Sequence, residues 1–147
     1  MTKMVASVAM FAEDIRDETQ GTMSLVGIFP DNINYDKPEG QDQQPQLAKL
    51  VVYVRTIISH SEPITDGIEI QFRSPSGQTI ASNPVAADFI SDKIKEAELN
   101  GSPHTTLISQ IRMNPFPLLE NGRFEIVTNC GAGSTLAGFI NIVGTVT

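Results

Sequence analysis

Cysteine and histidine are nearly missing from this chain. A single cysteine, Cys130, permits no internal disulfide, and a reducing or redox-indifferent compartment is expected. Two histidines, His60 and His104, and one thiol far apart in sequence give no zinc spacing, so no metal and no cofactor is expected. No stretch approaches the ~20 consecutive apolar residues of a membrane span, so no membrane partner is expected. Positive charge is also in the minority. Ten basic residues against seventeen acidic give a formal charge of −7, the wrong sign for displacing counterions from phosphate, which argues against nucleic acid. No repeat of fixed period is visible.

What the chain has is alternation. From Leu47 to Ile58, the residues Leu50, Val52, Val54, Thr56 and Ile58 point one way in an extended backbone. Lys49, Tyr53 and Arg55 share the other side with Val51 and Ile57. So many β-branched residues at period two mark a strand buried mainly on one face. The opening residues carry an apolar stretch near Val5–Ala12 after one lysine, but it is short and lacks a small-x-small cleavage site. A first strand is expected there, not a secretion signal. Ala12–Gly21 reads as a polar connector, and Thr22–Phe29 as a strand whose Gly27 predicts a bulge or the close approach of another backbone. After the turn at Pro30-Asp31, Asn32–Tyr35 reads as a short extended piece. Asp36–Gln46, rich in glutamine with two prolines and a glycine, is expected to be an exposed loop, ordered only if something holds it.

Beyond the central strand, 60–67 is polar, Ile68–Arg73 alternates, Ser74–Gly77 turns, and Gln78–Ser82 returns as a hairpin arm. The period then changes. Asn83 is a plausible N-cap, Pro84 suits the first helical position, and Ala86, Phe89, Ile90, Ile94 and Ala97 form one stripe. Asn100-Gly101 supplies the stop, so the helix is expected over 84–99. His104–Met113 alternates again. Asn114–Pro117 cannot lie in a central strand, because its prolines lack the ladder donor. A turn at Glu120-Asn121-Gly122 leads to a last pair, Arg123–Thr128 and Leu136–Val146, around the small-residue loop Cys130–Thr135. The fold class is mainly β: a single domain over 1–147, built as an antiparallel two-sheet β-sandwich of about eight strands with one inserted helix. At this length folding buries roughly 68–70% of the unfolded chain's surface, enough for a core without staples.

The residues Glu13-Asp14-Ile15-Arg16, Glu18, Gly21 and Ser24 through Phe29 resemble the opening of a family of small bacterial and phage proteins known only as a domain of unknown function. Asn121 through Ile126 and Gly138-Phe139-Ile140 are similar to that family's closing hairpin. The likeness covers about the first thirty residues well and the central strand and last hairpin loosely; the 36–46 loop and the helix match no motif of it. It implies a sandwich and a phage or prophage source, and it carries over no catalytic residue.

Candidate chemistry is weighed against plainer readings. Cys130-Gly131-Ala132-Gly133-Ser134 would need a histidine beside the thiol to make thiolate, and no signature surrounds His60 or His104. A buried thiol near a glycine-rich turn is the favoured reading. Gly131-x-Gly133 precedes a strand, whereas phosphate loops precede a helix. Asp31-Asn32-x-Asn34 is explained by turn chemistry better than by calcium. Glu13, Asp14, Asp17 and Glu18 read as a solvated connector, the Phe89–Ile94 stripe as core, and the Asn100-Gly101-Ser102 sequon means nothing without secretion. No catalytic site is expected.

Three functional classes follow: a non-enzymatic structural or assembly protein of a phage particle, such as a capsid decoration or cement protein; a soluble binding module, such as an inhibitor of a host protein; and, third, an enzyme using Cys130. The first is favoured. Its expected partners are copies of itself or shell proteins, as a homo-oligomer or part of a larger assembly, in the virion or the host cytoplasm. The interface is expected at the loops 36–46, 60–67 and 114–119, with Tyr35, Phe116 and Leu118 as anchors, or by strand addition at an exposed edge.

Overall fold

The structure, a computed structural model, describes residues 4–37, 39–40, 44–60, 66–131 and 133–146. The first half of the chain contributes β1 (Met4–Asp17), β2 (Met23–Phe29), β3 (Asn32–Lys37), the two-residue β4 (Gln46–Leu47) and β5 (Leu50–Ser59). The second half adds β6 (Ile68–Arg73), β7 (Thr79–Val85), helix α1 (Ala87–Leu99), β8 (His104–Met113), the two-residue β9 (Phe116–Pro117), β10 (Gly122–Cys130) and β11 (Gly133–Val146). Two sheets face each other: β2-β1-β5-β8 and β3-β11-β10-β6-β7. The expected mainly-β sandwich with one helix is what forms.

The central strand behaves as its alternation predicts. Leu50, Val52, Val54 and Ile58 are fully buried, and Thr56 nearly so, while Arg55 on the opposite side is exposed. The other inward row comes from Ile70 and Phe72 of β6, Phe124 and Ile126 of β10, and Ile140 and Ile142 of β11. Phe72 is the hub of this layer. Its ring stacks on Phe116 at 5.9 Å and meets Phe11 and Phe124 edge-on at 6.1 and 5.7 Å, arrangements that add to the gain from area burial.

The sheets converge at one end of this core. Along β1 the inward residues shrink from Phe11 through Ala9 to Ser7, and opposite them stand Gly138 and Thr128. A Cβ on Gly138 would lie 3.1 Å from both the Cβ and the carbonyl oxygen of Ala9, so a side chain there would have to push β1 back by a few tenths of an ångström. Next to this contact, Ser7 Oγ lies 2.9 Å from Thr128 Oγ1 across the sheets and 3.2 Å from Thr56 Oγ1 on the neighbouring strand. Three buried hydroxyls satisfy one another, which removes the penalty of placing them in a core.

Several expectations are corrected. The helix begins at Ala87 rather than Pro84, and Asn83 is not its N-cap. Asn83 and Pro84 belong to β7, paired with Ile70 and Glu69. A proline is tolerated there because β7 is an edge strand, where a missing N–H breaks no ladder on the open side. The Asn83 amide instead donates to the carbonyl of Gln110 at 3.1 Å, joining the edge of one sheet to the edge of the other. The helix ends as read: Gly101 at φ +74° donates to Glu98 O and Ser102 N to Ala97 O, a Schellman closure.

The arrangement is also not wholly antiparallel, since β3 runs parallel to β11. Among the described residues eleven strands form, nine of them in the two facing sheets. Gly27, at φ +66°, interrupts no register; the approach it permits is that of the Glu13 side chain, not of a backbone. The last hairpin is tighter than expected, with β10 extending to Cys130 and β11 resuming at Gly133.

Substituting Gly138 by alanine forces a methyl against the Ala9 backbone, and stability in urea titration should fall by about 1–3 kcal/mol. Gly133→Ala is the control. A Cβ there meets nothing within 4 Å, and the change should stay within about 0.5 kcal/mol. Phe72→Ala, which removes the hub of the four rings, should cost about 3–5 kcal/mol by the same assay.

Candidate functional site

The residues expected to carry an interface are placed unequally. Phe116 and Leu118 are each 2% exposed and belong to the core. β9 pairs with β4, and Leu118 N donates to Pro45 O at 2.9 Å, so this segment folds inward over the end of the sandwich and offers a partner neither side chain. The exposed neighbour is Leu119, at 72%. The same contact explains what holds the end of the glutamine-rich loop: Gln44 Nε2 donates to Leu118 O. The parts of that loop at 38 and 41–43, and 61–65 of the 60–67 loop, lie outside the described residues.

Tyr35 is half-buried and internally tied. Its hydroxyl donates to Asn121 Oδ1 at 3.0 Å, and its ring lies where a Cβ of Gly144 would be. Asn121 also accepts from Gly144 N at 3.0 Å and donates to Gly144 O. Its amide therefore pairs with the backbone of β11 as a neighbouring strand would. The Asn-Gly pair read as a turn signal is a clamp on β11.

Cys130 ends β10 beside Ile68 and is 8% exposed. Burial, and then the Asp66 carboxylate, push its thiol above the ordinary value, which keeps it protonated at neutral pH. The histidines stand elsewhere. His104 pairs with Ser59 where β5 and β8 end, and His60 Nε2 hydrogen-bonds Thr105 Oγ1 at 2.5 Å with Nδ1 3.9 Å from Glu98. An open depression of about 540 Å³ beside the thiol is lined by Asp66, Glu69, Asn129 and Gly131 among others. The Asp66 carboxylate at its wall adds to burial in favouring thiol over thiolate, the opposite of what a nucleophile needs.

The first part of the acidic connector, 12–17, belongs to β1, while Glu18 and Thr19–Gly21 lie in the turn that follows. Asp14 accepts from Lys49 Nζ at 3.0 Å and from Ile15 N, and the Lys49 hydrogen bond leads in holding its carboxyl below the ordinary value. Asp31 caps a backbone contact, its carbonyl accepting from Asn141 N, and Asn32 opens β3. Among the described residues no group of three or more His, Cys, Asp or Glu is placed to hold a metal, and no helix is long and apolar enough to cross a membrane.

The surface that stands out is the outward face of the β2-β1-β5-β8 sheet. Pairing across β1, β5 and β8 lays down four rows: Ala6–Ile57–Thr106, Val8–Arg55–Ile108, Met10–Tyr53–Gln110 and Ala12–Val51–Arg112. No carboxylate occurs in any of them. The last row is covered at Ala12 and Val51 but not at Arg112, which is exposed. Gln110 Nε2 donates to Met23 Sδ at 3.2 Å, which carries the tip of the β1–β2 hairpin across the face to the far edge strand, and Ala12 and Val51 are fully buried there. The other rows stay open, with Val8 at 55%, Ile108 at 47% and Met10 at 37% exposure. Beside Ile108, along the edge of β8, an open groove of about 450 Å³ is lined by Phe89, Pro84, Asn83 and Gln110 among others. Phe89, 51% exposed at the start of α1, carries Lys93 Nζ 5.6 Å from its ring centroid. The helical stripe expected to be core thus divides: Ile90 is fully buried and Phe89 faces out.

One signal for this face is present in the chain. β1 is apolar at both parities, and β5 carries Val51 and Ile57 opposite its core row. Apolar residues on both faces of a strand mark a second covered surface. Compared with known proteins, the chain matches no family model and no curated sequence.

Two titrations check these environments. In the folded protein at pH 8, iodoacetamide should alkylate Cys130 far more slowly than in the urea-unfolded chain, read by intact mass; equal rates would mean an accessible thiolate. Asp14, lowered in the fold, contributes stability that is full above its ordinary value of 3.8 and lost as pH falls below it. The stability gap between the parent and Asp14→Asn, measured by urea melts, should therefore be constant near neutrality and close in acid.

Proposed function

We propose that this chain is a non-enzymatic structural or assembly protein, a component of a phage particle of the decoration or cement kind, that works through protein–protein contacts. The observation that carries this reading is the open, carboxylate-free apolar face made by Val8, Met10, Tyr53, Arg55, Ile57 and Ile108. Apolar, tyrosine, methionine and arginine side chains with aspartate and glutamate excluded is the composition of an interface core rather than of a solvated sheet face. A protonated Cys130 separated from both histidines fits a role without covalent catalysis. The resemblance of the opening residues to a family of bacterial and phage proteins supports the source. On this reading the chain resides in the virion or the host cytoplasm and associates with copies of itself or with shell proteins.

Mass spectrometry of purified particles should find the chain at high copy. Ile108→Asp should reduce its incorporation by about tenfold or more, a loss expected when a charge is buried unpaired in an interface, while the thermal melt of the isolated variant stays close to the parent's. A chain that is missing from particles and shows no affinity for virion proteins would overturn the proposal. Cys130→Ser should leave incorporation unchanged.

A further inference from the structure

We infer that the open outward face of the β2-β1-β5-β8 sheet receives an acidic partner: a segment of another protein whose aliphatic side chains seat between Val8, Met10 and Ile108 and whose carboxylate meets Arg55. This deepens the assembly reading, on which it rests, by stating the chemistry of the partner. Arg55 stands in the middle of its row, directly between Val8 and Ile108, and is solvent-exposed. Its guanidinium is thus framed by two exposed aliphatic residues. A partner that covers those aliphatics must also cover the cation.

Covering an unpaired cation is costly, because its hydration is lost without replacement, whereas a planar carboxylate meets the guanidinium with two parallel hydrogen bonds. Two further cations lie at the margins of the face. Arg112 bonds Gln110 through Nε and Nη2 at 3.1 and 2.8 Å at one margin, and Lys93 lies over Phe89 at the other, where Glu96 already pairs with it at 3.5 Å. The rows themselves supply no acid to answer Arg55. That asymmetry disfavours a second copy centred on this row. A second copy stacked face to face would bring Arg55 toward its own symmetry mate with no carboxylate between, and like charges in a drying layer oppose association.

The chain's formal charge of −7 repels an acidic partner at long range. In physiological salt that repulsion is screened over about 8 Å, so the charges in contact decide the outcome. In the open rows that charge is Arg55. The groove along β8, with Phe89 at its wall, gives the same partner a place for one larger apolar anchor.

Two fluorescein-labelled peptides test this with the full chain by fluorescence anisotropy: one alternating leucine with glutamate, the other leucine with lysine. The glutamate probe should bind at least about tenfold more tightly than the lysine probe, and Arg55→Glu should remove that preference or reverse it. Raising salt to about 0.5 M should weaken the glutamate probe selectively. Arg55 is exposed, so its variants should fold; Arg55→Gln, with thermal melts of both, gives the same readout if the glutamate variant does not.

Equal affinity for the two probes, a preference for lysine, or indifference to both Arg55 variants would overturn the inference. So would a parent chain that sediments as a dimer and is made monomeric by Ile108→Asp, because the occupant would then be a second copy. Failure here is separable from failure of the assembly reading. A chain missing from particles that still prefers the glutamate probe loses only its proposed role, and a chain found in particles without that preference loses only the acidic partner.

Discussion

The two sheets touch backbone to backbone at Ala9 and Gly138, and the rest of the architecture is arranged around that contact. Packed sheets ordinarily stand ≈10 Å apart with side chains between them. Here one layer supplies a glycine and the other an alanine and a serine, so the layers close together. Small residues alone would leave polar groups stranded, and the hydroxyls of Ser7, Thr56 and Thr128 avoid this by bonding to one another. A short distance along β1 the spacing opens enough for four phenylalanine rings. The core is therefore graded in side-chain size, which fixes how the sheets sit: a slip of one residue along β1 would bring Val8 or Met10 to the place where Ala9 meets Gly138.

From that constraint follows the position of the surface. Because Ser7, Ala9 and Phe11 must face in, Ala6, Val8 and Met10 must face out, although they are as apolar as a core row. The hairpin tip covers part of this second row through Met23 and leaves the rest open. At the other end of the sandwich, β4 and β9 close the thick part of the core and draw Phe116 and Leu118 inside. The end of the glutamine-rich segment is tied to that closure through Gln44 and Pro45.

Much of the fold is legible in local pattern, and the places where it is not share a cause. The inward row of β5, the strand at Ile68–Arg73 and the Asn100-Gly101 stop depend on spacing within a few residues, and each appears where the pattern placed it. Pro84 has good helix-start chemistry, yet it lies in β7, because pairing with Glu69 outweighs a local preference worth little by itself. The segment Asn32–Lys37 joins β11 in parallel, a matter of which edge lies open when the chain crosses between sheets. Leu118 and Leu119 are identical in type and adjacent. Only the pairing of β9 with β4 puts one in the core and the other in solvent.

The sequence by itself determined that this is a layered β protein with one helix, that its single thiol has no disulfide partner in the chain, and which face of the central strand is inward. Those properties are periodic or compositional, so they survive without knowledge of neighbours. The tertiary structure alone decided which apolar residues outside the core row are covered. Val51 is sealed beneath the hairpin, Val8 and Ile108 are left open around Arg55, and Phe116 is taken inside. Exposure is a property of whatever lies across from a side chain, and in a sandwich that neighbour is supplied by a strand dozens of residues away.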